Sequence, residues 1–212
     1  MNNYIESLNW RYATKKYDAS KKVSDKDLET LKDAVRLSVS SVGLQPYKVF
    51  IIGDTDIRKQ LIEAAGGNNK NIIADSSYLF VFANEVNPGD TEVENYVKNI
   101  GETRGIEPEN LKGFSDYISG FLKGLTPEQK NAWTIKQTYI ALSTLVNSAA
   151  VLKIDTTAME GFNAEEFNKI LGFDKLGLNA AVIAAIGYRH EEDANQHLKK
   201  VRKPKEELFV TI

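Results

Sequence analysis

The 212-residue chain contains no cysteine and only two histidines. Lack of cysteine excludes disulfides, thiolate nucleophiles, iron–sulfur clusters and cysteine-ligated zinc together. The histidines, His190 and His197, both fall in a polar C-terminal stretch, which leaves hydrolytic triads and histidine-based metal sites without material. No sign of charge dominates: 27 basic against 29 acidic side chains give a net charge of −2. That balance argues against nucleic acid or an anionic membrane, each of which needs a concentrated positive field. Neither G-x-G-x-x-G nor G-x-x-x-x-G-K-[ST] occurs, so a nucleotide must bind by some means other than a Rossmann or Walker turn. The most apolar window, Tyr139 to Ile154, is interrupted by Ser143, Thr144, Asn147, Ser148 and Lys153. It is too short to span the roughly 30 Å of a bilayer core and reads as a buried helix. The opening Met1-Asn2-Asn3-Tyr4-Ile5-Glu6 lacks the basic flank and apolar core of a signal peptide, and the expected location is the cytoplasm.

What is present reads as one α+β domain over residues 1–212, since no Pro/Gly/Ser-rich linker offers a boundary. Ser24 caps a helix carrying Leu28, Leu31, Ala34 and Val35 at helical spacing to about Ser38, which delivers Ser40 and Ser41 to a loop. Tyr47 to Ile52 is a strand stopped by Gly53-Asp54, and Ile57 to Ala65 a short helix ending at Gly66-Gly67. Tyr78 to Ala83 is a second strand. A helical region follows from Thr91 to Lys123, with breaks expected at Gly105, Pro108 and Gly113. Thr126 and Pro127 open a long helix to about Leu152, apolar on several sides and therefore central or at an interface. Asn163-Ala164-Glu165-Glu166 starts another short helix, and Ala180 to Tyr188 is an apolar strand. From Arg189 the chain is charged and largely non-periodic, yet it finishes on Leu208-Phe209-Val210-Thr211-Ile212, a β-prone segment expected to dock.

Chemistry-bearing residues are dispersed. Arg11 and Lys15 lie four apart, with Lys200 and Arg202 near the other end. Folding could collect them around a phosphate as charge-assisted donors; the plainer reading is solvated surface. Ser40 and Ser41 could equally end a helix, Glu160 be a surface strand residue, and Gly161 a turn needing backbone freedom. Trp133 and Tyr139 read as core.

Five segments in order carry a resemblance. Arg11-Tyr12-Ala13-Thr14-Lys15-Lys16-Tyr17-Asp18 resembles the opening Arg-x-Ser-x-Lys-x-Phe-Asp of nitroreductases and related flavin reductases. Ser38-Val39-Ser40-Ser41-Val42-Gly43-Leu44-Gln45-Pro46-Tyr47 is similar to their Ser-Pro-Ser-Ser-x-Asn-x-Gln-Pro-Trp loop. Asn69 with Asp75-Ser76-Ser77, then Met159-Glu160-Gly161-Phe162, then Lys200-Val201-Arg202-Lys203-Pro204 fall where that family has its remaining flavin contacts.

The resemblance implies an antiparallel-dominated sheet flanked by helices, in a homodimer whose swapped C-terminal arm, about 190–212, packs on the partner subunit. It also implies flavin mononucleotide (FMN) at the subunit boundary. Arg11, Lys200 and Arg202 would hold its phosphate, and Tyr12, Ala13 and Ser40 the phosphate and ribityl path. Lys15 and Asn69 would face the pyrimidine edge, with Met159 alongside and the Glu160-Gly161 backbone near N5. Hydride from NADH or NADPH would pass by a ping-pong mechanism to nitroaromatics, quinones or similar acceptors. Alternatives are a flavin or quinone reductase on the same fold, or a non-catalytic flavin-binding redox module. Tyr117 and Phe121 would reach over the flavin. The chain departs from the family pattern at Ala13 for a small hydroxyl, Gly43 for Asn, Ala158 for Pro, and Ile72 for a second lysine.

Overall fold

The computed structural model describes residues 3–53 and 55–212. Asp54, expected in the turn after the first strand, and the opening Met1-Asn2 lie outside the described residues. Strands β1 (Tyr47–Ile52), β2 (Tyr78–Glu85), β3 (Asp155–Met159) and β4 (Leu178–Gly187) form an antiparallel sheet in the order β1-β2-β4-β3.

Strand alternation sorts the apolar side chains onto two faces. Leu79, Val81 and Ala83 of β2 pack with Leu61 of α3 (Asp56–Glu63), Ile72 and Ile73 of α4 (Asn69–Asp75) and Phe167 of α8 (Ala164–Leu171). Phe80 and Phe82 pack with Leu31 and Val35 of α2 (Asp25–Arg36) and with Leu142 and Leu145 of α7 (Pro127–Val151). Each such buried side chain contributes roughly 1.5–3 kcal/mol, so the two layers form the core. In β4 the pattern inverts once. Phe82 pairs with Val182 but Ala83 with Ala180, leaving Ala181 as an extra residue. That bulge puts Leu178 and Ala180 on the same face as Ile183 and Ala185.

The caps behave as the sequence suggests. Ser24 Oγ accepts from Asp27 N at 3.1 Å and starts α2, which ends at Arg36, two residues short of the expected Ser38. At α7, Thr126 N donates to Gln129 Oε1 at 2.9 Å while Thr126 Oγ1 accepts from Gln129 N, a reciprocal pair that satisfies two otherwise orphaned donors. The region between splits into α5 (Asp90–Arg104) and α6 (Pro108–Lys123). Gly105, in the left-handed region at φ 64°, ends the first, and Pro108 begins the second. The expected break at Gly113 does not occur. A mid-helix glycine costs about 1 kcal/mol, which burial of Leu111, Ile118 and Leu122 along the same helix outweighs.

Among the elements the sequence did not announce are α1 (Asn3–Trp10), α4 and β3. Between α1 and α2, residues 11–18 lie as a strap against the sheet. Ala13 bridges Thr156, Asp18 N donates to Tyr188 O at 2.8 Å, and His190 N donates to Lys16 O at 3.0 Å. The tail forms one helical turn, α9 (Lys205–Leu208), and Leu208, Phe209, Val210 and Ile212 are exposed. The expected strand is not formed within this chain, because a lone strand has no ladder to join.

Candidate cofactor site

The strap and the tail meet in a cavity of about 350 Å³ lined by Arg11, Tyr12, Ala13, Lys199, Lys200 and Arg202 among others, with no carboxylate in its wall. Lys200 Nζ donates to the Arg11 carbonyl. Arg11 Nε is buried without a hydrogen-bond partner. Burial, then the neighbouring Arg202, lowers the Arg11 pKa; burial, then Arg11 and Arg202, lowers that of Lys200. Several cations are thus gathered against their mutual repulsion with a donor left over. An anion would relieve that arrangement, and a phosphate would supply both the charge and the acceptors.

Asp193 positions the strap. Its Oδ2 accepts from Lys15 N at 2.7 Å, Lys16 N at 3.2 Å and the Tyr12 hydroxyl at 3.0 Å. Burial alone would raise this carboxyl, but the backbone donors from Lys15, Asn195 and Lys16 together with Tyr12 hold it below the usual range. Burial, then the bond to Asp193, raises the Tyr12 phenol. The consequence is a fixed backbone at 15–16, with the Lys15 side chain exposed.

A second cluster surrounds the turn after β3. Gly161 O accepts from Asn69 Nδ2 at 2.9 Å and from Gly66 N at 2.9 Å, and Phe162 N donates to Glu160 O at 2.9 Å. A Cβ at Gly161 would sit 2.8 Å from Asn69 Nδ2, so a larger residue there would displace the Asn69 amide from its bond. Asn68 Nδ2 reaches Lys15 O at 3.5 Å and links this turn to the strap. The Glu160 carboxylate accepts from the Tyr139 hydroxyl of α7. Burial, then that bond, pushes the Tyr139 phenol up to about 12.

Arg11, Tyr12, Ala13, Lys200 and Arg202 therefore share one cavity wall, and Lys15, Asn69 and Gly161 are connected to it through the bonds of Asp193 to Tyr12 and Lys15 N, of Asn68 to Lys15 O and of Asn69 to Gly161 O. Met159 is different: its side chain is 5% exposed inside the core, and its backbone lies at the end of β3 opposite Ile183. Ser40 also stands apart. Its Oγ accepts from Gln45 N at 2.9 Å in the loop after α2, and no hydrogen bond joins it to the other candidates among the described residues. That loop is held in strain, with Val42, Gly43 and Gln45 all at positive φ. The Tyr96 hydroxyl lies where a Cβ on Gly43 would go. Tyr139, read from the sequence as core, is 37% exposed and bonded to a candidate site residue. Ile72 is 1% exposed in the core, a place where a lysine would have to be buried. Asp193 and Arg189, which organise the strap, carry no local sequence signal. Among the described residues no cluster of metal-ligating side chains occurs.

The fold is thus an antiparallel sheet covered by helices on both faces, with a cationic cavity where the strap meets the tail. The model of the Nitroreductase family matches residues 8–188, and the chain belongs to that family. It is 35% identical to the Major NAD(P)H-flavin oxidoreductase of Aliivibrio fischeri, over 98% of both chains. It is 34% identical to a Staphylococcus haemolyticus protein named as an NAD(P)H nitroreductase, over 98% of this chain and 96% of that one. Among solved structures, a nitroreductase family protein from Streptococcus pneumoniae superposes with a TM-score of 0.85 at 18% identity, over 99% and 100% of the two chains. An Exiguobacterium sibiricum structure described as a nitroreductase in complex with FMN gives 0.83 at 16% identity, over 100% and 98%.

Proposed function

We propose that this protein is an FMN-dependent oxidoreductase that takes hydride from NADH or NADPH and reduces nitroaromatics, quinones or related small acceptors. It works by a ping-pong mechanism, as a cytoplasmic homodimer. The observation that carries the reading is the cavity of Arg11, Lys200 and Arg202, with its buried, unpartnered guanidinium Nε and no counter-charge in its wall. The named chemistry of the Aliivibrio fischeri relative and the FMN complex of the Exiguobacterium sibiricum structure support it.

Bound FMN would supply a hydride-accepting N5 and a ring edge, N1 and C2=O, on which negative charge would build. Arg11, Lys200 and Arg202 bind its phosphate; Tyr12 and Ala13 line the path beyond. Lys15, with an exposed side chain on a backbone pinned by Asp193, would stabilise that charge, and Asn69 would orient the same edge. The N–H groups of Glu160 and Gly161 donate to no backbone carbonyl among the described residues and are available to N5. Met159 contributes its backbone to this wall. Ser40, which does not line the cavity in its own chain, comes from the partner subunit; of the arm 190–212, His190, Asp193 and Lys200 hold their own strap, and the end beyond Arg202 embraces the partner. Tyr117 and Phe121, 64% and 37% exposed on α6, gate the acceptor. No described helix is long and apolar enough to cross a membrane. A second reading, with free flavin as the preferred acceptor, is favoured by the name of the Aliivibrio fischeri relative.

Purified protein releases one FMN per chain on heating, and its flavin absorption bleaches when NADH or NADPH is added without oxygen. Recovery of FAD, or no flavin that rebinds, overturns the proposal. The ratio of kcat/KM for free flavin against nitro compounds separates the two readings.

A further inference from the structure

The turn after β3 is crowded with bonds, and they are unevenly distributed. Both of its carbonyls are engaged, Gly161 O by two donors and Glu160 O by Phe162 N. Asn163 N, just beyond, donates to Ala64 O at 2.9 Å. The Glu160 side chain is exposed and carries the turn's one charge. Its carboxylate pairs with no lysine or arginine among the described residues; its single side-chain donor is the Tyr139 hydroxyl.

From this juxtaposition we infer that Tyr139 is a positioning residue for the flavin reaction, holding the Glu160 carboxylate against α7. Held there, the carboxylate stays away from the edge where negative charge develops. The inference rests on the FMN reading above. A glutamate carboxylate turns freely about three torsions unless tethered, and a free one would sample positions beside the Glu160 and Gly161 N–H groups. There it would compete for the donors proposed to meet N5 and would oppose negative charge on the reduced ring. The phenol prevents this by spending its only proton on the carboxylate. With its pKa pushed up to about 12 by burial and this bond, Tyr139 retains that proton at neutral pH, so its role is to donate a bond and not to protonate substrate. The Gly161 carbonyl is held by two donors, Asn69 Nδ2 and Gly66 N, which anchors the turn while the Glu160 side chain is positioned.

Full-length FMN-loaded protein tests this with Tyr139→Phe, Glu160→Gln and the double variant, read by the two-electron midpoint potential and by FMN titration of the apoprotein. Tyr139→Phe lowers the potential, with reduced flavin losing about tenfold in affinity relative to oxidised flavin, equivalent to about 30 mV. Affinity for oxidised FMN changes less than this. Glu160→Gln, at an exposed side chain, raises the potential, and adding Tyr139→Phe to it changes nothing further. An unchanged potential in Tyr139→Phe overturns the inference, as does an equal drop in the Glu160→Gln background, because the hydroxyl would then act without Glu160. Failure of the wild-type protein to bind FMN overturns the earlier reading instead.

Discussion

Arg189 and Asp155 form a part-buried ion pair in which both Nε and a terminal guanidinium nitrogen donate to Asp155 Oδ1, at 2.9 and 2.6 Å. The guanidinium also lies 4.2 Å from the Trp10 ring centre and 4.6 Å from that of Tyr12. One cation therefore joins β3, the exit from β4, α1 and the first residues of the strap. Asp155 is 2% exposed, so its loss leaves a charge without a partner. Asp155→Asn lowers stability by about 3–5 kcal/mol and weakens FMN binding through displacement of Tyr12. Denaturant unfolding with a parallel FMN titration checks this; a change under about 1 kcal/mol would mean that solvent already screens the pair.

Arg202→Ala separates binding from folding. Arg202 disfavours the charged forms of Arg11 and Lys200 in the empty cavity, so its removal leaves apoprotein stability unchanged or higher. FMN affinity falls by about 1.5–3 kcal/mol for a lost charge-assisted phosphate bond. Thermal melts with and without FMN show opposite trends; wild-type FMN affinity returns Arg202 to the solvated surface.

Lys15→Met acts mainly in the reduced state. It lowers the flavin midpoint potential and slows hydride acceptance by more than it weakens FMN binding, since the charge interaction grows on reduction. Potentiometry decides: an unchanged potential with FMN still bound removes the role.

Glu85 sets a pH dependence. Burial, then Glu92, raises its carboxyl to about 7 against an opposing effect of Lys48, and its Oε2 is buried without a partner. Between the ordinary glutamate value and about 7 the native chain holds a proton that the unfolded chain has released. Stability therefore falls as pH rises through that window, and the penalty is complete above it. Glu85→Gln stabilises the protein at pH 8 by about 1–2 kcal/mol, discounted for partial solvent access, and has little effect near pH 4. Equal gains at both pH values would contradict the assignment.

Deleting residues 208–212 tests the arm. Leu208, Phe209, Val210 and Ile212 are exposed in the single chain, and β1 has no neighbour on its outer side among the described residues. If the arm completes a partner's sheet, truncation lowers Tm and FMN retention together, because ligand and partner both stabilise the native dimer by mass action. Full-length protein that sediments as a monomer with FMN bound falsifies the arrangement.

Much of the fold was legible because its signals are local. The Ser24 and Thr126 caps, the Tyr47 to Ile52 strand and the Asn163 helix start each depend on neighbours a few residues away. β3 was hidden because its buried face is polar. Thr157 Oγ1 donates to Thr14 O at 2.6 Å and Asp155 pairs with Arg189, so Asp-Thr-Thr-Ala-Met gives no apolar alternation. In the site, the strap's cations and the Glu160-Gly161 turn were readable through resemblance. Asp193 and Tyr139 were not, since the bonds from Tyr12 to Asp193 and from Tyr139 to Glu160 exist only after folding.

The strand order also governs how the chain reaches its native state. The pairings of β1 with β2 and of β3 with β4 join strands close in sequence, whereas β2 must wait for β4, with Tyr78 opposite Ile186. During synthesis the β1–β2 pair therefore emerges with one side of β2 unpaired until β4 has left the ribosome. Such non-local closure is slow, and an open apolar edge is prone to pair with another chain. Refolding should accordingly be limited by docking of β4, and yield should fall with protein concentration even where the finished molecule is stable.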